Sequence, residues 1–232
     1  MICGVTPWWS IAEIIVTAPL AVSIGDPAGI GPEIIAKAWA ARDAAELPAF
    51  FAVGDARAIE RVWNGPIAKI DDLDSASNAF RDALPVLTVE DAGEITPGYP
   101  DVEGARCALQ SLELAAGLAR SGAARALVTG PVSKAQLYEI GFTHPGQTEF
   151  VAERCGVAPE NAVMMLAGPT LRVVPMTTHV PLAQVSSLLS IELIVAKAQV
   201  TARGLKRNFG ITKPRLAFAG FNPHAGESGA VS

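Results

Sequence analysis

The sequence predicts an α/β protein with a mainly parallel sheet, and three observations support this class. Short apolar runs that are typical of buried strands alternate with stretches of helical periodicity along the chain. Glycine-rich segments directly follow some of these runs, as they do where a strand leaves a parallel sheet and a helix begins. Half of the 232 residues are hydrophobic, which is enough to bury a core in one large domain or two small ones.

The apolar runs place the predicted elements along the chain. The predicted strands are residues 19–24, 49–54, 85–89, 126–130 and 215–220, with a hairpin formed by 163–168 and 171–178. The predicted helices begin at Pro32 and Asp55, span about 102–120 and 150–156, and run from about Ile191 to Gly210. The stretch 64–102, apart from its one strand, is predicted to be loop because it is rich in Asp, Pro, Gly and Ser.

The charge pattern argues against a nucleic-acid partner. The formal net charge is −5, and the lysines and arginines form no stripe of the kind that a phosphate backbone requires. The three cysteines, Cys3, Cys107 and Cys155, have no C-x-x-C spacing, which favours buried thiols in a reducing cytosol.

The first 18 residues are interpreted as an N-terminal extension ahead of the first strand. They are apolar but carry no positive region, and Pro7 and Glu13 interrupt a stretch that is too short to span a bilayer. No transmembrane segment follows, so we expect a cytoplasmic protein without a membrane partner.

Two glycine-containing segments follow predicted strands. In Gly25–Glu33 three glycines allow close approach of a ligand and the helix start favours an anion, although a tight turn explains the spacing equally well. In Thr129–Lys134, Ser133 is expected to cap the next helix. Lys134 could meet a phosphate, but a solvated side chain is the default interpretation.

The segment His144–Glu149 precedes another predicted helix. Gln147 and Thr148 offer neutral hydrogen-bond donors at the helix start, which suits a phosphate group. A capping box with Thr148 as the cap is an almost equally good explanation.

His179 and His224 share a context, since each lies just past an apolar predicted strand. Ligands collect at the carboxyl ends of strands in open α/β sheets, so the two imidazoles could converge on one metal. Two ligands are too few for a catalytic zinc, which needs about three protein ligands. His144 is a candidate for the third, but its loop does not follow a strand in the same way.

Six segments then stand in a specific order: GDPAGIGPE, VTGPVSK, GQTEF, VMMLAG, TTHVPL and NPHAGE. In this order they resemble the 4-hydroxythreonine-4-phosphate dehydrogenase family, from about Pro19 to Gly229. The resemblance implies two α/β domains of the isocitrate/isopropylmalate dehydrogenase-like type, which we place at 19–125 and 126–232. It also implies a homodimer whose active sites use residues from both subunits.

The resemblance further implies a substrate and cofactors. Gln147 and Thr148 match the pair that binds the substrate phosphate, and His179 and His224 match two of three histidines that hold a divalent metal. That metal is usually zinc, with magnesium or cobalt as alternatives. The implied reaction is oxidation of 4-(phosphooxy)-L-threonine by NAD or NADP, in pyridoxal 5'-phosphate biosynthesis. The resulting β-keto acid loses CO2 to give 3-amino-2-oxopropyl phosphate.

Two departures from the family pattern affect these expectations. Gln147 replaces a histidine that many members carry, so phosphate binding should be weaker and less dependent on pH. Family members continue past NPHAGE into a segment with the third metal histidine, so a C-terminal part is expected to be missing, with weak metal binding and little activity. Two alternatives stay open: a dehydrogenase of 4-phospho-erythronate or 4-phospho-threonate, and an inactive truncated remnant.

Overall fold

A computed structural model describes residues 18–89 and 91–222, which form two compact units that divide between Pro159 and Glu160. The domain boundary that the sequence suggested at residue 126 stays a prediction. The strand that begins at Leu127 pairs with the first strand of the chain and so belongs to the sheet of the first unit. The two units are described separately below.

The first unit is built on a five-stranded parallel sheet, which confirms the predicted fold class. Its strands are β1 (Leu20–Ser23), β2 (Phe50–Val53), β3 (Ile67–Ile70), β4 (Leu84–Leu87) and β5 (Leu127–Thr129). They lie in the order β3-β4-β2-β1-β5, so β1 is flanked by β2 on one side and β5 on the other. The carboxyl ends of β1 and β5 therefore meet at the same edge of the sheet.

Helices connect these strands. In the first unit they are α1 (Gly31–Ala40), α2 (Ala56–Glu60), α3 (Ala76–Asp82), α4 (Val102–Ser121), α5 (Lys134–Glu139) and α6 (Gln147–Arg154). The longest, α4, begins after Asp101, whose side chain accepts a hydrogen bond from the Gly104 amide at 2.7 Å. It ends at Gly122, whose φ of 82° is a left-handed conformation that glycine adopts without cost.

The sheet buries apolar side chains on both faces. All four residues of β2 are buried, and alternation along the strand sends Phe50 toward one core layer and Phe51 toward the other. The layer with Phe51 includes Leu112 of α4, and the layer with Phe50 includes Trp39 of α1. A strand that is buried on both faces reads as a continuous apolar run, which is why the sequence revealed it.

The prediction that 64–102 is mostly loop missed two elements, β3 and α3, which lie there in addition to the predicted strand. β3 is an edge strand that pairs only with β4 among the described strands, and its exposed Lys69 interrupts the apolar pattern. α3 contains weak helix formers and is held instead by tertiary packing, because Phe80 stacks edge-on against Phe50 with ring centroids 4.8 Å apart.

Ser111 of α4 ties the helix to two strand ends. Its side chain is fully buried; Oγ accepts a hydrogen bond from the Ile24 amide at 3.1 Å and donates one to the Val53 carbonyl at 2.5 Å. Ile24 follows β1, and Val53 ends β2. One hydroxyl group therefore fixes the points where both strands leave the sheet.

The second unit contains the short hairpin β6 (Leu166–Ala167) and β7 (Arg172–Val173), the four-residue helix α7 (Val185–Leu188) and the long helix α8 (Ile191–Phe209). The antiparallel hairpin confirms the sequence prediction. Gly210 ends α8 with a φ of 66°, also as predicted.

The predicted strand at 215–220 was wrong. These residues are exposed, and none of them pairs with another strand within the described part of the chain. An apolar run becomes a strand only when a neighbouring backbone satisfies its amides and carbonyls, and periodicity alone does not supply that partner.

No single helix in 18–89 and 91–222 is long and apolar enough to cross a membrane. One pair passes on length and composition when taken together, Leu182–Leu188 with Ile191–Phe209, but it is bent by 93°.

Replacement of Ser111 with alanine should lower the free energy of unfolding by about 1 kcal/mol or more, because the hydrogen bonds at both strand ends are lost. Urea unfolding followed by circular dichroism measures the change. Ser121→Ala is the matched control, since Ser121 lies on the same helix with an exposed hydroxyl and should change stability by less than about 0.5 kcal/mol. Equal effects of the two substitutions would contradict this role of Ser111.

Candidate functional site

Three of the four segments that the sequence singled out lie in the first unit and contact one another. The loop 25–30 follows β1, and the loop 130–133 follows the neighbouring strand β5. The third segment, 144–149, leads into α6 and bonds to the second loop. The structure thus brings together, at the carboxyl ends of β1 and β5, segments that are more than 100 residues apart in sequence.

The two loops meet backbone against backbone because glycines line the contact. Gly25 has a φ of 74°, and a methyl group there would overlap the Pro131 carbonyl oxygen and lie 2.7 Å from the Gly130 carbonyl carbon. A methyl group at Gly130 would lie 2.6 Å from the Ile24 carbonyl oxygen. The Asp26 amide donates a hydrogen bond to the Pro131 carbonyl at 2.8 Å, which joins the loops directly.

Asp26 is the buried charge of this contact. Its side chain is 3% exposed, and Oδ1 accepts a hydrogen bond from the Ala28 amide at 2.9 Å. Oδ2 is buried and makes no hydrogen bond within the described residues. Burial raises the pKa of Asp26, and the charge of Asp101 adds to this, while the amides of Ala28 and Ser133 act in the opposite direction.

Gln147 is the first residue of α6 and reaches back to the second loop. Its Nε2 donates a hydrogen bond to the Gly130 carbonyl at 3.0 Å. The residue before the helix is Gly146, not Thr148, so the capping-box interpretation of Thr148 was wrong. Gly146 has no side chain to cap the helix, so the first amides of α6 are left for other acceptors.

Lys134 is exposed, in line with the default interpretation of a solvated side chain, and it also contacts the third segment. Its Nζ donates a hydrogen bond to the Pro145 carbonyl at 2.7 Å, two residues before Gln147. Ser133 precedes α5 as predicted, but its side chain makes no capping hydrogen bond. An ammonium group therefore lies beside the chain that enters α6, where it adds positive potential to that of the helix start.

His144 has partners of its own within the first unit. Its Nε2 lies 2.7 Å from Oε2 of Glu153, and its ring packs edge-on against Phe150 at a centroid distance of 5.3 Å. The hydrogen bond to His144 lowers the pKa of Glu153. These contacts favour a packing role for His144 over the metal role that the sequence left open.

His179 lies in the second unit with an exposed side chain and a φ of 60°, which is unusual for a residue other than glycine. His224 lies outside the described residues. Among the residues that the structure does describe, no three histidine, cysteine, aspartate or glutamate side chains are placed to hold a metal. The convergence of His179 and His224 on a metal stays a prediction.

A second polar cluster at the carboxyl ends of β2 and β4 was missed by the sequence analysis. Asp55 caps α2 and accepts hydrogen bonds from the Ala92 amide at 3.0 Å and from the Arg57 guanidinium, which also pairs with Asp91. These side chains line a cavity of about 230 Å³ together with Lys69. Burial alone would raise the pKa of Asp55. The Arg57 guanidinium and the backbone amides of Ala92 and Arg57 outweigh this effect, so the pKa of Asp55 is lowered.

A sequence signal for this second cluster existed. A Gly-Asp pair follows each of two adjacent strands: Gly25-Asp26 after β1 and Gly54-Asp55 after β2. The aspartate of each pair is buried. The pairs differ in one respect, since Asp55 has an arginine partner and Asp26 has none among the described residues.

Known proteins resemble this chain over most of its length. The family model of the pyridoxal phosphate biosynthetic protein PdxA matches residues 46–232. A protein of Zymomonas mobilis named 4-hydroxythreonine-4-phosphate dehydrogenase is 53% identical over 213 residues, and one of the same name from Erythrobacter litoralis is 53% identical over 216 residues. These matches cover 92% and 91% of this chain, and the chain spans 64% of the length of each relative.

Solved structures of two differently named dehydrogenases also match this chain. The crystal structure of 4-hydroxythreonine-4-phosphate dehydrogenase from Klebsiella pneumoniae matches with a TM-score of 0.80 and 32% identity, over 91% of this chain and 66% of that one. A terephthalate 1,2-cis-dihydrodioldehydrogenase from Burkholderia xenovorans matches with a TM-score of 0.60 and 29% identity, over 91% of this chain and 64% of that one.

Replacement of Gly25 with alanine should destabilise the first unit by more than the cost of a left-handed alanine, which is about 1–2 kcal/mol, because the new methyl group also overlaps the facing loop. Gly98→Ala separates the two effects, since Gly98 has a φ of 85° with open space around its Cα. Urea unfolding of both variants measures the difference. If Gly25→Ala costs no more than Gly98→Ala, the loops are not in the close contact described.

Proposed function

The chain belongs to the family of the pyridoxal phosphate biosynthetic protein PdxA, and on this premise we propose that the protein oxidises 4-(phosphooxy)-L-threonine with NAD or NADP. In this reaction the secondary alcohol loses a hydride to the nicotinamide ring and a proton to solvent. The β-keto acid product then loses CO2 to give 3-amino-2-oxopropyl phosphate. The names of the relatives support this assignment. The activity is a proposal and not a finding, because the chain spans 64% of the length of these relatives.

The observation that carries the proposal is the position of Gln147 at the uncapped start of α6, bonded to the Gly130 carbonyl. In this position Gln147, Thr148 and the first amides of α6 offer hydrogen-bond donors of the kind that a phosphate group accepts. Lys134 adds a positive charge nearby, because its ammonium group is anchored on the Pro145 carbonyl. We propose that these groups bind the phosphate end of the substrate and thereby orient its alcohol.

The metal of the family would be a Lewis acid that polarises the alcohol and then the ketone. Of its proposed ligands, His179 is exposed and so accessible to a metal, whereas His224 lies outside the described residues. The described donors alone do not make up a catalytic site, which needs about three protein ligands. Zinc binding by His179 and His224 therefore stays part of the proposal, as does the family's homodimer.

Substrate choice can be tested with three compounds. Calorimetric titration of the chain with 4-(phosphooxy)-L-threonine should give tighter binding than titration with 4-hydroxy-L-threonine, because only the former carries the phosphate. NADH or NADPH formation at 340 nm is then compared between 4-(phosphooxy)-L-threonine and 4-phospho-D-erythronate. Preference for the sugar acid would replace the proposed substrate, and binding without any turnover would favour the inactive remnant.

An unphosphorylated diol is the remaining candidate substrate class, because one solved structure of similar fold is named a dihydrodiol dehydrogenase. The same titration separates it from the main proposal. Equal affinity for 4-hydroxy-L-threonine and 4-(phosphooxy)-L-threonine would contradict phosphate recognition.

Replacement of Gln147 with histidine should make phosphate binding depend on pH. An imidazole is charged below a pKa of about 6.5, and its charge-assisted hydrogen bond to phosphate should strengthen binding several-fold as pH falls through that value. The dissociation constants of wild type and variant for inorganic phosphate are measured from pH 5.5 to 8. Their ratio isolates the effect of the histidine, because the titration of phosphate itself affects both proteins equally. Gln136→His on α5 is the control, and a pH-independent ratio for Gln147→His would place the phosphate elsewhere.

A further inference from the structure

The turn that leads into α6 is held by two polar side chains from different helices. The Nζ of Lys134 on α5 donates a hydrogen bond to the Pro145 carbonyl at 2.7 Å. The Nε2 of His144 lies 2.7 Å from Oε2 of Glu153, which belongs to the last turn of α6. Gly146, the residue before the helix, contributes no side-chain cap of its own. The orientation of the turn therefore depends on contacts with α5 and with the far end of α6.

Packing alone does not explain a histidine at position 144. Its ring packs against those of Phe142 and Phe150 at centroid distances of 5.2 and 5.3 Å, a place that an apolar ring would fill without any polar cost. The imidazole is only 19% exposed, and its Nδ1 is buried without a hydrogen bond among the described residues. Burial of an unpaired nitrogen opposes stability, so we look to the bond made by the other ring nitrogen for the role of this residue.

The Glu153 carboxylate determines the direction of that bond. The hydrogen bond to His144 lowers the pKa of Glu153, so the carboxylate is charged at neutral pH and can only accept. The Nε2 of His144 is therefore the donor. The other oxygen of Glu153 lies 2.9 Å from Nη1 of Arg154, whose Nε contacts Oε1 of Glu113 on α4 at 2.7 Å. The acceptor is thus itself held against the long helix of the first unit.

The same turn sets the direction of the first amides of α6. The first helical hydrogen bond runs from the Phe150 amide to the Gly146 carbonyl at 3.3 Å, so the amides before it have no acceptor within the helix. These amides and the Gln147 side chain are the donors assigned above to phosphate. A turn released from Glu153 would be free to pivot at Gly146, and the amides would then lose their common direction.

We propose that His144 is a positioning residue of the phosphate site, whose hydrogen bond to Glu153 holds the turn before α6 so that the first amides of the helix converge on the phosphate. The inference rests on the phosphate-binding role proposed above for the start of α6. His144 acts through Glu153 and the turn, and it does not itself touch the phosphate.

The first test measures binding of inorganic phosphate to the 232-residue chain by calorimetry at neutral pH. His144→Phe keeps a ring between its neighbours but removes the donor, so it should weaken binding roughly fivefold, as expected for loss of one hydrogen bond. His144→Gln places an amide nitrogen near the position of Nε2 and should restore most of the affinity. Wild-type affinity in His144→Phe, or equal losses in the two variants, would overturn the proposal.

A double-mutant cycle tests whether Glu153 is the partner through which His144 acts. Glu153→Ala should weaken phosphate binding about as much as His144→Phe, and the two losses should not add when the substitutions are combined. Glu139→Ala is the matched control for charge, since Glu139 is exposed on α5 and forms no ion pair within the described part of the chain. A full further loss from His144→Phe in the Glu153→Ala background would overturn the proposal.

A measurement on the free chain separates the positioning role from the phosphate site itself. Nuclear magnetic resonance relaxation gives the order parameters of the Gln147 and Thr148 backbone amides. In His144→Phe they should fall from about 0.85, typical of rigid backbone, toward the value of about 0.6 below which backbone is flexible, whereas His144→Gln should keep them high. Unchanged order parameters in His144→Phe would overturn the proposal.

Asp55→Asn shows whether a general loss of stability gives the same result. Asp55 lies at the end of β2, away from α6, and its substitution should lower the melting temperature through loss of the Arg57 pair. The order parameters at Gln147 and Thr148 should nevertheless stay at their wild-type values, and an equal fall there would overturn the proposal. If the wild-type chain binds no phosphate, the phosphate site is wrong, and the order parameters still decide whether His144 holds the turn.

Discussion

The close contact between the loops after β1 and β5 is the constraint on which the candidate site depends. Parallel pairing places the two strand ends side by side, and the glycines at 25 and 130 let the loops touch without an intervening side chain. Any larger residue there would push the loops apart, because a Cβ at either position meets backbone atoms of the facing segment. The Gly130 carbonyl, the start of α6 and the anchored Lys134 take their positions from this contact.

Much of the fold could be predicted from the sequence because buried parallel strands read as continuous apolar runs. Each of the runs in β1, β2, β4 and β5 was located within a few residues of its observed position. β3 was missed because an edge strand is only half buried, and the apolar run at 215–220 lacks the strand partner that periodicity cannot reveal. Local sequence patterns therefore predicted the strands that are buried on both faces. They failed for segments whose secondary structure depends on strand pairing or tertiary packing.

The candidate site could be predicted in its residue types but not in its contacts. Gln147 was singled out as a donor at a helix start, but its bond to Gly130 joins segments whose proximity only the sheet order determines. The same holds for Lys134, whose carbonyl partner lies across a loop, and for Asp26, whose amide donates to the distant Pro131 carbonyl. His144 illustrates the reverse case, since a candidate ligand proved to be paired with Glu153 and packed against an aromatic ring.

We propose above all that a phosphate group binds at the start of α6, between Gln147 and the loops that follow β1 and β5. A crystal structure of the chain with 4-(phosphooxy)-L-threonine tests it most directly. We expect the phosphoryl oxygens to lie within hydrogen-bonding distance of the Gln147 and Thr148 side chains and of the first amides of α6, with Gln147 still bonded to Gly130. A phosphoryl group bound elsewhere, with the start of α6 occupied only by water, would contradict the account.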